Sequence, residues 1–597
     1  MRKWIGWWLV ALAAITGAQA GSAADMNKVL RVGFPVDVTG FDPQALNDAY
    51  SNYINRVIFE PLLAYDYLAR PYKLVPNTAE ALPEITDEGR KLVIKLKKGI
   101  YFTPDPAFNG QKRELTAADY IYSWKRLLDP KVRSPNLGIF ENKLVGADEQ
   151  VEAAKKSGKF DYGAPLPGLQ ALDRYTLQIR LVKPNYTFID YLASSATGAV
   201  AREVIEKYAD SSNWALNNPV GTGPYVLREW KKGSKVVIEA NPDYRDRRWP
   251  ESKDPADKAI EAQMKGKRLP AIGRIEVSII EESNPRFLAF QSKQLDLVYI
   301  PTDFVNRVID NGKLKPEFAQ QGINWTRAIQ AGWTYTVFNM DDPVIGGYSR
   351  EKIALRRAIG LGYNVTEEIG VLRQGQGIPA TQPIPPNLPG HDPNVKRPYP
   401  YDPASARALL DRFGYKDCNG DGFRELPDCS PLVLRYHTDS TEISRQFSEL
   451  WKKSMDAIGI KIEFILQKWP DTLKAAKAGK VMMWGLGGLA AVRDGEQFLA
   501  QLYSKYIDYS NFSRFRMDSY DRLYELAQTL PDGPERNKVY RMLSDHFVTY
   551  APVLFATNRV DNALVYPWVQ GWKMNSFSQF PFVFLDIDAN KQKAALK

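Results

Sequence analysis

Two closely spaced cysteines, Cys418 and Cys429, bracket the densest run of chemically able residues in the chain. In an oxidising compartment two such cysteines pair, and closing so short a loop contributes about 3 kcal/mol in the chain-entropy view. The same stretch also fits a calcium loop. Asp417, Asn419 and Asp421 fall at alternate positions, Gly422 permits the turn, and Asp428 stands where a closing Glu is usual. Asp is shorter than Glu and less easily bidentate, and Pro427 opposes an exiting helix. A structural calcium and a disulfide-stapled turn therefore both stay open. Elsewhere the signals for chemistry are sparse. The 3 histidines, His391, His437 and His546, stand far apart, which speaks against a multi-histidine metal centre. There is no G-x-S-x-G elbow, no H-E-x-x-H pair and no Walker loop. Gly221-Thr222-Gly223-Pro224 lacks the glycine pattern and the following helix of a phosphate loop. It reads as a strand-entry turn, its glycines supplying permissive backbone angles. None of these motifs predicts an enzyme.

Whatever positions these residues must be large. The chain has 597 residues, 44% hydrophobic and 25% charged, the composition of a globular protein with several cores. Its net charge of +10 is spread along the chain with no arginine-rich arm, so no nucleic-acid partner is expected. Residues 1–24 read as a secretory signal: Arg2 and Lys3, an apolar run from Trp4 to Ile15, then Ala18-Gln19-Ala20 as a cleavage site. The run is shorter than the roughly 20 apolar residues of a spanning helix. No cysteine lies near the cleavage region, so a lipoprotein is not expected. A periplasmic protein follows.

Strand and helix signals then alternate. Val29–Phe34, Leu92–Leu96, Tyr175–Leu181 and Lys461–Leu466 read as strands, with helices after Thr116, at 404–413 and at 442–458. Residues 245–270 are charged, contain proline and read as a surface insertion. The mixture implies an α/β protein with more than one sheet.

Several ordered motifs carry a resemblance. They include Ile58-Phe59-Glu60-Pro61-Leu62-Leu63, Leu115-Thr116-Ala117-Ala118-Asp119-Tyr120, Pro219-Val220-Gly221-Thr222-Gly223-Pro224-Tyr225 and Gly375-Gln376-Gly377-Ile378-Pro379-Ala380. Over nearly all of the mature chain they resemble the extracellular solute-binding proteins of family 5, the oligopeptide- and dipeptide-binding proteins of ABC importers. The resemblance implies a type II-like periplasmic binding fold: two hinged lobes and an extra region on the first. Carried over, lobe I covers 25–65, 172–332 and a return at 556–597, the extra region 66–171, and lobe II 333–555. The implied function is capture of a peptide or peptide-like solute and delivery to an inner-membrane ABC permease by a monomer. The alternative cargo is non-peptide: an oligosaccharide, an opine-like conjugate, haem or a metal chelate. No cofactor is implied beyond the calcium considered at 417–428.

The family's amine-anchoring aspartate lies just ahead of a helix that starts near a Phe-Leu pair. Counting back from Phe498-Leu499, Ala491 holds that position and Gly488 the position of an associated Trp, while Trp484 stands earlier. An enclosed ammonium without a carboxylate is costly. Either Asp494 substitutes, or the ligand lacks a free amine, or it carries an anion that Arg493 meets. Trp484, Gly485, Gly487 and Gly488 read either as a glycine-rich ligand loop or as a tight loop with Trp484 in the core. Tyr50, Tyr53 and Asn136 match segments that reach the family's cleft, and Tyr436 and His437, which follow the strand Leu432–Leu434, are expected to face it. Helix packing for the tyrosines, and a structural role for the histidine, are the competing readings.

Overall fold

The computed structural model describes residues 24–596 except 47, 508, 509, 577 and 578. The signal peptide expected at the start lies, up to residue 23, outside the described residues. None of the described helices is long and apolar enough to cross a membrane.

Two large sheets organise the chain. The first has eight strands, in spatial order Asn324–Ile329, Thr557–Val565, Leu297–Tyr299, Asp25–Phe34, Ile272–Ile279, Lys235–Ala240 and Tyr225–Lys231, with Gly377–Pro379 added onto Thr557–Val565. The second has five, Lys461–Leu466, Val433–Thr438, Met483–Leu489, Gly332–Phe338 and Val553–Phe555. Apart from the excursion that adds Gly377–Pro379, the chain passes between them at two short crossings. It leaves the first sheet after Ile329 and enters the second at Gly332, then leaves the second after Phe555 and re-enters the first at Thr557. These two short crossings lie side by side, because Arg327–Ile329 pairs with Val560–Asn562 in the first sheet and Tyr335–Val337 with Val553–Phe555 in the second.

A third packing unit has a four-stranded sheet, Glu84–Thr86, Lys91–Lys95, Thr176–Arg180 and Leu169–Asp173. Its core does not stop at residue 171. Leu62 and Leu63 begin it, and Leu177, Phe188, Ala201 and Val220 still belong to it, because the strand Thr176–Arg180 and the segments after it cover the helix Ala117–Leu128. That helix begins where Thr116 predicts. Asp119 reaches back to the Thr116 backbone N–H at 2.7 Å to complete a capping box, and also holds Arg113 at 2.6 Å.

Two local readings change. Neither Gly221 nor Gly223 needs an unusual backbone angle. A Cβ on Gly221 would lie 2.0 Å from the carbonyl oxygen of Ile58, and one on Gly223 2.4 Å from that of Val57. The glycines are there for close approach to the end of the helix Ala49–Ile58. Beside them Glu60, buried, takes both Arg245 nitrogens at 2.5 and 2.8 Å, Tyr244 at 3.0 Å and Thr222 at 3.1 Å. The Arg245 guanidinium holds its carboxyl below the usual range against the opposing effect of burial. The charged insertion at 245–270 is also not purely superficial: Trp249, Met264 and Leu269 are buried in the core of the eight-stranded sheet.

Candidate functional site

The site grows from the two crossings. Strands alternate their side chains, so residues two apart share a face. On Thr557–Val565 this places Arg559 and Asp561 on one face, about 7 Å apart along the strand. Each opens into a different cavity beside the crossing.

Arg559 lines a cavity of about 370 Å³ on the five-stranded sheet. Its opposite wall is aromatic. Trp469, 54% exposed, packs on Trp484 with ring centroids 4.7 Å apart, and Phe447 and Tyr436 extend the surface. Three arginines reach this cavity, and two are committed. Arg373 pairs with Glu368 at 2.7 Å, and Arg397 donates to the carbonyls of Ala380, Phe555 and Ala556, pinning the crossing. The Arg559 side chain has no hydrogen bond or ion pair among the described residues. Burial and the nearby Arg373 charge lower its pKa. Gly487 faces it, and a Cβ there would sit in ordinary contact, 3.4 Å from Arg559 Nη2.

Asp561 lines the second cavity, of about 190 Å³, together with Tyr50, Tyr299 and Phe580. Its Oδ1 accepts from Gln330 Nε2 at 2.7 Å and its Oδ2 from Gln579 Nε2 at 3.4 Å. Burial pushes its carboxyl up.

The structure gathers five of the predicted residues, Trp484, Gly485, Gly487, Tyr436 and His437, around the first cavity. They do not form a loop. Met483–Leu489 is a strand between Val433–Thr438 and Gly332–Phe338. Gly485 is required there because a Cβ would fall 2.1 Å from the Tyr436 hydroxyl oxygen. Trp484 is 4% exposed, so it is at once a core residue and a cavity wall. His437 Nδ1 sits 3.0 Å from Gln467 Oε1, and burial lowers its pKa. Tyr50 enters the second cavity. Tyr53 packs beside it on Phe580 and donates to Gln579 Oε1 at 3.2 Å. Gly488 lies outside both cavities, near Trp333 and Phe498. Asn136 is also outside them, its amide donating to the Leu46 carbonyl at 2.9 Å.

The substitutes proposed for the missing anchor are not available. Ala491 is exposed, its N–H held by Gln497 Oε1 at 2.8 Å. Asp494 is buried and saturated: Oδ2 takes Arg536 at 2.7 Å, and Oδ1 takes the Tyr540 hydroxyl at 2.6 Å and the Glu496 N–H at 2.8 Å. Arg493 contacts Asp190 at 2.7 Å and Asp532 at 3.1 Å, so it cannot also meet a ligand anion. These two residues belong to a charge cluster that joins the third packing unit to the five-stranded lobe.

The residues missed from sequence are Trp469, Phe447, Arg559 and Asp561. The last two carried a signal. Thr557-Asn558-Arg559-Val560-Asp561-Asn562 alternates charge into a strand whose other half, Ala563-Leu564-Val565, is apolar and buried.

At 417–428 the carboxylates bind their own backbone. Asp417 accepts from Gly420 and Gly422, Asp421 from Phe423, Asp428 from Ser430, and the Asn419 amide donates to Glu425. Among the described residues no three His, Cys, Asp or Glu side chains converge to hold a metal. The spacing builds a turn closed by the Cys418–Cys429 disulfide, with Gly420 and Gly422 in the left-handed region. With a sequence separation of 11 between the cysteines, C418S/C429S is expected to lose about 3 kcal/mol of stability. Denaturant midpoints with and without reductant check this: reductant should shift the wild type and leave the variant unmoved.

The family described as "Bacterial extracellular solute-binding proteins, family 5 Middle" matches residues 73–510. The chain is similar to Heme-binding protein A of Haemophilus influenzae, 25% identical, with 92% of this chain and 90% of that protein covered. It is 24% identical to the probable deoxycholate-binding periplasmic protein YgiS of Escherichia coli, covering 95% and 96%. Among solved structures, DppA of Helicobacter pylori in complex with the peptide STSA superposes with a TM-score of 0.70 at 21% identity, over 94% of this chain and 99% of that one.

Proposed function

The chain belongs to the family 5 bacterial extracellular solute-binding proteins, and from that premise we propose that it captures a peptide or peptide-like solute carrying an acidic group, in the periplasm, and hands it to an inner-membrane ABC permease. The observation that carries this reading is Arg559. A guanidinium without a partner, held at the junction of the two sheets over an aromatic wall, is arranged to take a carboxylate in a charge-assisted, two-pronged contact. Trp469, Trp484 and Phe447 would cover the ligand's apolar part. Both sheets contribute to the space around the crossings, so a ligand bound there touches both lobes and favours their closure. Family 5 proteins bind solutes, and capture without chemistry is the reading for this chain.

A non-peptide cargo is favoured by one observation: the anchor position holds Ala491, so the lobe of the first cavity offers an amine no aspartate there. An apolar acid without an amine would still satisfy Arg559 and the tryptophans. The test is protein purified from its own periplasm, its native mass measured, and the bound molecule identified. The expected molecule carries an acid group, and at 100 times its dissociation constant it stabilises the protein by about 2.7 kcal/mol. In R559M that stabilisation should fall sharply. Retention of a ligand with no anionic group, or equal stabilisation of R559M, would overturn the reading.

A further inference from the structure

We propose that Asp561 and the aromatic rings around it form an ammonium-binding subsite at the floor of the cleft, in the place of the carboxylate that Ala491 lacks. The inference rests on the peptide-like reading of the Arg559 cavity and adds the second charge of the ligand.

Four observations converge on it. Asp561 is a cavity-lining carboxylate whose only side-chain partners among the described residues are the neutral amides of Gln330 and Gln579. Neither brings a positive charge, and an enclosed carboxylate without one is costly. Its raised pKa is the same statement in another form: burial outweighs both amides and the distant Arg559. Gln330, outside the cavity lining, steadies Asp561 from behind and has a buried Oε1 with no hydrogen bond of its own.

The walls suit a cation. Tyr50, Tyr299 and Phe580 line the cavity, with Tyr53 and Phe34 packed behind them; the cation in the described lining, Arg286, donates to the Ile280 and Glu281 carbonyls. Tyr50 and Phe34 lie 5.0 Å apart and Tyr299 and Phe580 5.7 Å apart, a rigid set of rings rather than a flexible one. Ring faces attract a desolvated cation, while a neutral apolar group would leave the carboxylate unanswered. The cavity, about 190 Å³, holds a small head group and not a large one.

Position completes the argument. Asp561 and Arg559 share one face of one strand, two residues apart. The pair presents a minus and a plus charge in a fixed order across the crossing. A ligand with an ammonium and an acid group fits in one orientation only, and the reversed orientation sets like charges together. Gln330, which holds Asp561, lies on the other crossing, between Ile329 and Gly332. The subsite is thus built where the lobes hinge.

The test uses full-length mature protein, stripped of ligand and refolded. It is offered a random tripeptide mixture together with the same mixture acetylated at the α-amine, and the retained molecules are counted by mass. Wild type should retain free-amine peptides at least tenfold over acetylated ones. D561N keeps an acceptor for Gln330 and the same volume, so it should fold, and it should lose the preference. A D561N protein that keeps it, or a wild type that shows none, overturns the proposal. If wild type retains neither mixture, the peptide-like reading has failed, and millimolar n-butylammonium decides the subsite by itself. Thermal stabilisation of wild type but not of D561N supports it; no stabilisation, or equal stabilisation of both, overturns it.

Discussion

D494A is expected to destabilise the protein by about 3–5 kcal/mol and to do so whether or not ligand is present. Asp494 is 1% exposed and answers three donors, Arg536, Tyr540 and the Glu496 N–H. Removing it leaves the Arg536 guanidinium, 2% exposed, facing a hole. Asp532 remains in contact with Arg536 but is half exposed, and Arg536 Nε already lacks a hydrogen-bond partner. Breaking a buried pair on one side costs far more than the pair contributes, because the surviving charge stays desolvated. D494N is the control. It keeps the volume and an oxygen for Tyr540, so its loss should be smaller. Guanidinium unfolding followed through tryptophan fluorescence reads both. A ligand anchor would behave in the opposite way: D494A would keep its midpoint within about 0.5 kcal/mol and lose ligand. That outcome would return Asp494 to the role its place in the sequence suggested.

Asp494 also shows where sequence reasoning stops. Its position in Ala491-Val492-Arg493-Asp494-Gly495-Glu496 made it the nearest acid to a missing anchor. What neutralises it, Arg536 and Tyr540, sits about forty residues on, and nothing local announces that contact. The strands at Val29–Phe34, Leu92–Leu96 and Lys461–Leu466 were legible because alternation is written in adjacent residues, and the helix after Thr116 because its cap is. The family fold was legible because many short motifs occur in order. Cavity walls are different. Trp469, Phe447 and Arg559 come from three separate stretches, and only the crossing of Thr557–Val565 between sheets brings them together. The glycines at 485 and 487 read as a loop, yet they lie on a strand, where Gly485 must stay small to admit the Tyr436 hydroxyl.

The same cluster should make stability fall as pH rises from about 5 to 7. Asp190, Asp494, Glu496 and Asp532 stand against Arg493, Arg536 and Lys143. With four carboxylates and three cations packed together, one carboxylate keeps its proton to higher pH. Burial raises Asp190 to about 7 from 3.8, and raises Glu496, with the neighbouring Asp494 charge adding to it, to about 7 from 4.5. The two titrate as parts of one cluster. A folded-state pKa above the unfolded value means that folding takes up a proton between the two. The stabilisation is complete below the unfolded pKa and is lost as pH rises through about 7. One proton taken up over two pH units corresponds to about 2.7 kcal/mol. Because Asp190 lies in the helix Phe188–Tyr191 of the third packing unit and Arg493 belongs to the five-stranded lobe, the loss falls on the contact between them. Tyr65, whose hydroxyl oxygen accepts the Arg493 N–H at 3.0 Å, crosses the same boundary. The measurement is the denaturant midpoint from pH 5 to pH 8 in wild type and in a D190N/E496Q protein. The variant carries the neutral form permanently, so its profile should be flat over that range and its midpoint at pH 8 should not fall below that of wild type. An unchanged slope would place the proton elsewhere and remove the cluster as the source of the pH dependence.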